Sequence, residues 1–513
     1  MESTKPIRKI ALISPNPRFP DFEGRLVMAE NTLPLIGTVL KNAGYEVEVF
    51  MERIAPIPWE RVLEADLVGF SAITCTVNRV YEMVKKIKAH KDVPTVLGGP
   101  HASMIPDDAV RYVDYVVRDE GEETIIELLE ALNHGGDIRG IQGISYLKGG
   151  KPHHNSPREL VKNLDTIPDL SLVHGYDRLN PIQLLFKGIG HFHFLETSRG
   201  CPYPCKFCWR IGGKTMRHRS PEVVIEDLKR KTRFFPGFPN WVFIIDSYFG
   251  VNRQKSKEVL RQIIQSGVKA RSFVFARYEI AEDLEMLDLM RKAGVMWIFM
   301  GIESISDNTL THFDKKQTIE KVKKSLKIIR SYGIHVCASF ILGNDEDSSD
   351  TWLKTVQFAK DNEVTWVMLN ILTNFPSGHE ELIPSHRVFQ KNWDYYSGQF
   401  VLHYPKNIKP SELQSRVYDA YRYFYSSRAI LTNLAKGKIT TAFFQTYCRF
   451  RIRPFLEKMK FYIPYLKQIE DGLYDASGCL IESKLISLKK REAVPSFNRQ
   501  PMESDLEVVS QVA

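Results

Sequence analysis

The feature that most constrains the fold is an alternation of short apolar runs with helical patterns, which occurs in two separate parts of the chain. Residues 7–130 contain five such runs, among them KIALISP and VPTVLGG, with helix-like segments between them. Strands that alternate with helices build a parallel sheet with helices on both faces. This part is therefore predicted to be a doubly wound, Rossmann-like parallel sheet, and ligands of such sheets lie at the carboxyl ends of the strands.

The alternation resumes at residue 192 and gives six candidate strands before residue 373. Six βα units are too few for a closed eightfold barrel, so the sequence predicts an open, partial (β/α)6 TIM-like barrel. The overall class is α/β, followed by a helical C-terminal region. The predicted parts are an N-terminal domain (1–140), a connector (141–187), the partial barrel (188–400), a helical region (401–475) and a disordered tail (476–513).

Bulk properties limit the function classes. A chain of 513 residues exceeds one ordinary domain. No run approaches the roughly 20 apolar residues that span a bilayer, and the N-terminus shows no signal-peptide pattern. We therefore expect a cytoplasmic protein, whose thiols stay reduced. Clustered cysteines in such a protein indicate metal ligation or catalysis rather than disulfides.

The net charge of +9 is concentrated in one segment. Residues 428–470 contain nine Lys and Arg against two Glu, interleaved with Phe, Tyr and Leu. Two interpretations remain open, namely peripheral contact with an anionic membrane and an ordinary amphipathic helix with a solvated Lys face. No nucleic-acid-binding motif accompanies the charge, so nucleic acid is not expected as a partner.

Three of the seven cysteines follow the first strand of the predicted barrel, in the stretch ETSRGCPYPCKFCWR. Cys201, Cys205 and Cys208 have the spacing C-x3-C-x2-C, and intervening prolines keep the loop out of a regular helix. Three thiolates on a cubane iron-sulfur cluster leave one iron without a protein ligand, and an open metal position permits chemistry on a substrate. The alternative is a zinc site with His218 as fourth ligand.

The stretch RGCPYPCKFC resembles the signature of the radical S-adenosylmethionine (SAM) enzymes, with Phe207 in its aromatic position. The resemblance covers roughly residues 190–400. It implies a [4Fe-4S] cluster on the three cysteines, with SAM chelating the unique iron. One electron then cleaves SAM to methionine and a 5′-deoxyadenosyl radical, which abstracts hydrogen from a substrate.

The resemblance also assigns SAM contacts to the ends of later barrel strands. An Arg suits a carboxylate because its guanidinium is a planar fork, and acidic or hydroxyl side chains suit the ribose hydroxyls or the amino group. The candidate SAM contacts, beside Phe207, are Asp246, Ser247, Arg277, Glu303 and Ser304. Gly343, after the fifth strand, permits a close approach to the backbone.

In the N-terminal domain, Gly98 and Gly99 follow one strand and the hydroxyls of Ser71 and Thr74 follow its neighbour. The residues alone fit either a nucleotide-like pocket or the tight turns of an ordinary α/β domain. The S-x-x-T, GGPH and RDEGEET elements resemble the cobalamin-binding domain fused to many radical SAM enzymes. The loop NPRFPDFEGRL has no histidine, so the resemblance implies base-off cobalamin without a histidine ligand. His101 is then expected at the corrin edge or in solvent rather than at cobalt, and Pro100 is a further candidate cobalamin contact.

These features predict a cobalamin-dependent radical SAM enzyme that methylates an unactivated carbon of a lipid or small-molecule natural product. It would need an electron donor such as ferredoxin or flavodoxin. A second enzymatic interpretation is an oxidative cyclase or rearrangement enzyme of the anaerobic Mg-protoporphyrin cyclase type. A third, of another class, is an iron-sulfur electron-transfer or sensing protein, which would usually supply a fourth cysteine.

Overall fold

The computed structural model describes residues 6–19, 26–180, 190–209, 212–233, 241–376, 382–475 and 478–491. The first strands are β1 (Lys9–Ser14), β2 (Leu26–Ala29), β3 (Glu46–Met51), β4 (Leu67–Ser71), β5 (Thr95–Gly98), β6 (Tyr115–Val117), β7 (Ile144–Lys148) and β8 (Lys151–His154). The helices among them are α1 (Thr32–Asn42), α2 (Trp59–Glu64), α3 (Val77–His90), α4 (Pro100–Met104), α5 (Pro106–Ala109) and α6 (Glu122–His134).

The first sheet has the order β3-β1-β4-β5-β6-β7-β8. Its first five strands are parallel, and β7 and β8 extend it as an antiparallel hairpin. Apolar residues on both faces of β1, such as Leu12 and Ile13, are buried, as expected for a parallel sheet with helices on both sides. The predicted doubly wound sheet is confirmed. Its direction of winding reverses between β1 and β4, and ligands of such sheets bind at that switch point.

Strands of the second sheet are β9 (Gly190–Leu195), β12 (Trp241–Ile244), β13 (Arg271–Ala276), β14 (Val295–Glu303), β15 (His335–Leu342) and β16 (Trp366–Ile371), while β10 (Ser198–Arg199) and β11 (Arg217–His218) form a small antiparallel pair. The helices are α7 (Pro221–Arg233), α8 (Arg253–Ser266), α9 (Leu284–Lys292), α10 (Asp307–His312), α11 (Ile319–Ser331) and α12 (Thr351–Asp361). All neighbours in the large sheet are parallel, and β16 ends it at an open edge. The predicted partial barrel of six strands is thus confirmed.

One strand crosses from the N-terminal part into the barrel. β2 pairs in parallel with β9, from Leu26 opposite Gly190 to Ala29 opposite His193. The second sheet therefore has seven strands, in the order β16-β15-β14-β13-β12-β9-β2. The sequence pattern did not indicate this exchange, which links the two sheets through main-chain hydrogen bonds.

The C-terminal region forms α13 (Pro410–Phe424), α14 (Ser427–Ala435), α15 (Ile439–Met459), α16 (Tyr462–Glu470) and α17 (Glu482–Arg491). The hydroxyls of Tyr421 and Tyr425 on α13 accept hydrogen bonds from the backbone N–H groups of Leu369 and Val367 in β16, at 2.9 and 3.2 Å. α13 therefore covers the open edge of the barrel sheet, which would otherwise expose unpaired backbone groups.

Part of the tail that the sequence predicted to be disordered is helical. Helix α17 occupies residues 482–491 and buries Leu485, and residues 492–513 lie outside the described chain. Across the described helices, none combines the length and apolar character that crossing a membrane requires.

Candidate active site at the domain junction

The cysteine loop, which contains Cys201, Cys205 and Cys208, joins β10 to β11. It begins shortly after the end of β9, the first barrel strand. The backbone N–H of Cys201 donates to the carbonyl of Gly213 at 3.0 Å, and that of Cys208 donates to the carbonyl of Cys205 at 3.2 Å. Gly200 has φ +97°, and a Cβ there would overlap the Thr215 carbonyl. The glycine in RGC therefore permits the close approach of the two ends of the loop.

The middle of the loop is anchored to the barrel. The N–H of Lys206 donates to the carbonyl of Phe313 at 3.0 Å. The ring of Phe207 meets that of Phe313 edge to face, with centroids 5.3 Å apart, and the Lys315 ammonium lies 5.4 Å from the Phe207 centroid. These contacts give Phe207 a packing role, and its predicted contact with SAM stays a prediction.

The three thiols lie within electrostatic reach of one another. Burial raises the pKa of Cys205, while the charges of Lys315 and Arg277 act in the opposite direction. Desolvation raises the pKa of Cys208 to about 11, and Cys205 and Cys201 contribute to the increase. Without a metal, the thiols of Cys205 and Cys208 are therefore largely protonated at neutral pH, so binding of iron must release protons from them.

Arg277, at the end of β13, is buried beside this loop. Its guanidinium lies 3.9 Å from the centroid of the Tyr203 ring, donates to the Lys315 carbonyl at 2.7 Å and pairs with Glu279 at 3.0 Å. Its Nη1 atom is buried and has no hydrogen-bond partner in the described part of the protein. A buried cationic donor without a partner fits an anionic ligand group such as the SAM carboxylate.

Glu303, at the end of β14, has an unusual backbone and a buried partner. Its φ is +67°, a conformation that non-glycine residues seldom adopt. Its carboxylate accepts a hydrogen bond from Lys315 at 3.1 Å, and both side chains are 8 % exposed. A Cβ on Gly301 would overlap that carboxylate. The glycine in FMGIES thus provides the space for a fixed acidic group beside the cysteine loop.

The other predicted SAM contacts differ in accessibility. Asp246 is 2 % exposed and accepts hydrogen bonds from the Thr197 N–H at 2.7 Å and from the Thr197 and Ser198 hydroxyls at 2.5 and 2.6 Å. It therefore holds the segment that leads into the cysteine loop. Ser247 is exposed, and Ser304 is buried, with its hydroxyl accepting from the Ser306 N–H at 3.1 Å. Their contacts with SAM stay predictions.

Gly343 has φ +96°, but the space that it leaves is filled by the protein. A Cβ there would lie 2.7 Å from Leu413 Cδ2, and the His403 ring forms a hydrogen bond with the Gly343 carbonyl at 2.9 Å. The groups that approach the backbone of Gly343 closely therefore belong to α13 and to the segment before it.

The zinc alternative receives no support from the side-chain positions. Among the described residues, no three His, Cys, Asp or Glu side chains converge closely enough to bind a single metal ion. His218 pairs through its backbone with Ser198 in the β10–β11 ribbon. A cubane cluster has different needs, because each cysteine binds a separate iron and the sulfurs surround the cluster instead of meeting at a point.

A cleft lies at the switch point of the first sheet, and Ser71 is the one predicted cobalamin residue among the described residues that line it. The cleft is lined by Ser14 at the end of β1, by Ser71 at the end of β4, and by Ile73 and Thr76 after β4. Ser71 is paired with Gly98 across β4 and β5, and Thr74 is buried in the turn before α3. The sequence did not single out Ile73, an exposed apolar side chain suited to a large, partly apolar ligand.

Gly99 requires the glycine backbone, whereas Gly98 does not. Gly99 has φ +95° and ψ −179°, and a Cβ would lie 2.9 Å from the Ala72 carbonyl oxygen. At Gly98 the nearest atom would be 3.6 Å away, an ordinary contact. Pro100 begins α4 directly afterwards. The turn thus needs Gly99 for its shape, whereas Gly98 could carry a Cβ, and the contact of Gly98 with cobalamin stays a prediction.

His101 is enclosed by the protein. It is fully buried, its Nε2 lies 3.4 Å from Asp108 Oδ2, and its ring meets that of Trp393 edge to face at 5.3 Å. The expectation that its side chain could lie in solvent is wrong. Trp393 belongs to the segment after the barrel, so this contact joins the N-terminal and C-terminal parts.

A second junction connects the RDEGEET element to the cysteine loop. Glu120 accepts from Arg217 at 2.7 and 2.8 Å, and Arg199 donates to Glu122 at 2.6 Å. These side chains are 10–14 % exposed. Burial alone would raise the pKa of Glu120, but Arg217 and Arg199 hold it below its ordinary value. Sequence reasoning noted the acidic run and missed its partners, which flank the loop as neighbours in β10 and β11.

Comparison with known protein families agrees with this arrangement. Residues 195–359 match the Radical SAM superfamily, and residues 27–129 match the B12 binding domain. The first range contains the cysteine loop and the ends of β12 to β15, and the second contains the part of the switch-point cleft that follows β3 and β4. The chain therefore contains a B12-binding domain followed by a radical SAM domain.

Individual relatives include both methyltransferases and a cyclase. An uncharacterized methyltransferase of Pyrococcus horikoshii is 29% identical over 376 residues, 72% of this chain and 80% of the relative. The anaerobic magnesium-protoporphyrin IX monomethyl ester cyclase of Cereibacter sphaeroides is 27% identical over 446 residues, 82% and 70% of the two chains. The hopanoid C-3 methylase of Methylococcus capsulatus is 29% identical over 329 residues, 61% of each.

A solved structure shares the fold. The radical SAM methyltransferase TsrM of Kitasatospora setae, with tryptophan and a SAM analogue bound, superposes with a TM-score of 0.61 at 21% identity, covering 71% of this chain and 72% of TsrM. The two chains therefore combine a doubly wound sheet with an open barrel in the same way.

Proposed function

We propose that this protein methylates an unactivated carbon of a lipid or small-molecule natural product, using a [4Fe-4S] cluster, SAM and base-off cobalamin. When bound, the cluster with SAM supplies a 5′-deoxyadenosyl radical and cobalamin supplies the methyl group. The observation that carries the proposal is the junction in which Glu120 of the B12-binding domain binds Arg217 at the base of the cysteine loop. It supports a shared site, because it fixes the two cofactor regions next to each other.

The residues of the site would divide the work as follows. Cys201, Cys205 and Cys208 hold the cluster, and the free Nη1 of Arg277 binds the SAM carboxylate. Glu303, oriented by Lys315, accepts a hydrogen bond from SAM. The wider set of predicted SAM and cobalamin contacts would complete the two sites: Phe207, Asp246, Ser247, Ser304, Ser71, Thr74, Gly98, Gly99 and Pro100. His101, which the protein encloses, would support the cobalamin site from within the fold.

The test uses anaerobically reconstituted protein, a chemical reductant and SAM labelled in its methyl group. We expect the reconstituted protein to form 5′-deoxyadenosine. In extracts of a host that expresses the gene, we expect a lipid or metabolite whose mass exceeds that of its unmethylated form by one labelled CH2 unit. Cys205→Ala should abolish both products and the iron content, whereas the matched variant Cys479→Ala, outside the loop, should keep them. Deoxyadenosine without any transfer of label would contradict methylation.

The cyclase relative keeps a second enzymatic function open. A product that gains oxygen or a ring, without the methyl label, would assign the protein to that type. An electron-transfer or sensing role would instead leave SAM intact, so cleavage of SAM separates that class from both enzymes.

We further propose a cytoplasmic location and a ferredoxin or flavodoxin as electron donor. Reduced thiols at Cys201, Cys205 and Cys208 are required before a cluster can bind, and the cytoplasm maintains them. Reduction of the reconstituted protein by flavodoxin under anaerobic conditions, followed as deoxyadenosine formation, tests the donor.

A further inference from the structure

The helical hairpin of α14 and α15 presents apolar side chains that no described part of the protein covers. No residue of α14 is buried. Leu431 and Leu434 on α14 are 64% and 47% exposed, and Ile439, Phe443 and Phe450 on α15 are 70%, 76% and 74% exposed. We call these five side chains the hairpin face. Five large, exposed apolar side chains on one helical hairpin are more than the scattered single ones of an ordinary surface, and they indicate a site of interaction.

The hairpin face is not the exposed side of an ordinary amphipathic helix. At 100° per residue, Ile439, Phe443 and Phe450 lie within about 40° of one another around α15. The residues with which α15 packs on the core, among them Cys448 and Phe455, are on the opposite side. α15 is thus apolar on two opposite sides, and only one of them is used inside the protein. The sequence-based alternative of a solvated basic face describes the end of α15, where Arg453 and Lys458 are exposed, but not the side that carries Ile439, Phe443 and Phe450.

Exposed basic residues lie on the same two helices as the hairpin face and in the turn between them. Arg428 at the start of α14, Lys436 at the turn and Arg453 on α15 are exposed. The segment 428–470 has nine Lys and Arg against two Glu. Leu, Ile and Phe side chains with basic neighbours are the composition of segments that lie at an anionic bilayer surface. Protein interfaces instead concentrate Trp, Tyr and Arg at their centres.

We propose that the hairpin face inserts into the headgroup region of an anionic lipid bilayer and holds the protein there as a peripheral membrane protein. The apolar side chains enter the boundary between headgroups and acyl chains, while Arg428, Lys436 and Arg453 contact lipid phosphates. The proposal goes beyond the methylation reaction and does not depend on it.

The experiment is vesicle flotation of the anaerobically purified full chain. Wild-type protein should float with vesicles of equal parts phosphatidylcholine and phosphatidylglycerol, less with phosphatidylcholine alone, and less at high salt. The double variant F443S/F450S should lower the partition coefficient at least about tenfold. Both side chains are exposed, so the fold and the iron content should not change. The variant K436E/R453E should remove the preference for phosphatidylglycerol.

Matched controls use similar residues elsewhere. Leu284→Ser removes an apolar side chain that is 54% exposed on α9, and Lys321→Glu reverses an exposed charge on α11. Both should float like the wild type. The proposal is overturned if the wild type does not float, if F443S/F450S floats equally well, or if lipid charge has no effect. It is also overturned if the chain is a dimer that F443S/F450S dissociates, because the face would then bind a second copy.

Discussion

Glu120 accepts two hydrogen bonds from the guanidinium of Arg217, at 2.7 and 2.8 Å, although the two residues are 97 positions apart in the chain. One residue belongs to the range that matches the B12 binding domain and the other closes the cysteine loop. Arg199, opposite Arg217 in the ribbon, also binds Glu120 and Glu122. The junction therefore couples the conformation of the cysteine loop to the position of the N-terminal sheet.

The first prediction concerns this ion pair. Glu120→Gln removes the charge that two buried guanidiniums face, and we expect the free energy of unfolding to fall by about 3 kcal/mol. Hydrogen exchange in residues 212–218 should accelerate. Glu159→Gln is the matched control, because its partner Lys162 and Glu159 itself are 87% and 85% exposed and such pairs contribute little. Equal urea midpoints for Glu120→Gln and the wild type would argue against a structural junction.

A second prediction separates the two neighbouring glycines. Gly99→Ala should destabilise the protein by about 1–3 kcal/mol, since its φ and ψ lie in a region almost restricted to glycine. Gly98→Ala should leave the thermal midpoint unchanged, because its Cβ has space. If Gly98→Ala nevertheless lowers cobalamin content in the folded protein, the space at Gly98 belongs to the ligand. Equal stability losses at both positions would contradict the interpretation of this turn.

A third prediction concerns Arg277. Arg277→Lys cannot reproduce the planar fork that contacts Glu279 and the Lys315 carbonyl while leaving Nη1 free. We expect the dissociation constant for SAM, measured by equilibrium binding to reconstituted protein, to rise at least about tenfold, or 1.4 kcal/mol. Iron content serves as the check that the cysteine loop is intact. Arg271→Lys, at the exposed start of β13, should bind SAM normally. Unchanged affinity in Arg277→Lys would remove this residue from the site.

A fourth prediction follows from His403. Burial lowers the pKa of this histidine from 6.5 to about 4. Below pH 6.5 the unfolded chain takes up a proton that the folded protein does not, so stability should fall between pH 6.5 and 4 by about 3 kcal/mol from this group. Nearby Asp347 acts in the opposite direction, because burial raises its pKa to about 6.

The measurement that isolates His403 is the difference in urea unfolding between the wild type and His403→Gln at several pH values. Glutamine retains an N–H group that can donate to the Gly343 carbonyl but does not titrate. The wild type should therefore lose stability relative to the variant as the pH falls. A difference that is constant between pH 7 and pH 4.5 would contradict a neutral, buried His403.

Much of the fold was predictable because its determinants are local. Strands buried on both faces, such as β1 and β15, are almost continuously apolar, and this signal does not depend on the partner strand. The cysteine loop was equally predictable from the sequence, because the spacing of Cys201, Cys205 and Cys208 within eight positions suffices to identify it.

The remaining features depend on distant pairs or on backbone geometry. The residues Glu303 and Ser304 at the end of β14 do not indicate by themselves that Glu303 has a positive φ, or that its carboxylate forms an ion pair with Lys315. The burial of His101 depends on Trp393, which arrives from nearly 300 residues away. Likewise, the composition of α15 could not show which of its two apolar sides meets the core, because that choice is made by packing against other helices.

Strand β2 comes from the N-terminal part of the chain but belongs to the barrel sheet, and this limits how the two domains can be exchanged between homologues. The strand Leu26–Ala29 is the edge strand of the barrel sheet, next to β9. A fragment that begins after residue 140 would lack it and leave β9 with unpaired backbone N–H and C=O groups, which could pair with strands of other molecules. A chimera that takes residues 1–140 from one homologue and the barrel from another would therefore pair β2 of one parent with β9 of the other. Viable chimeras should keep residues 1–30 from the parent that donates the barrel.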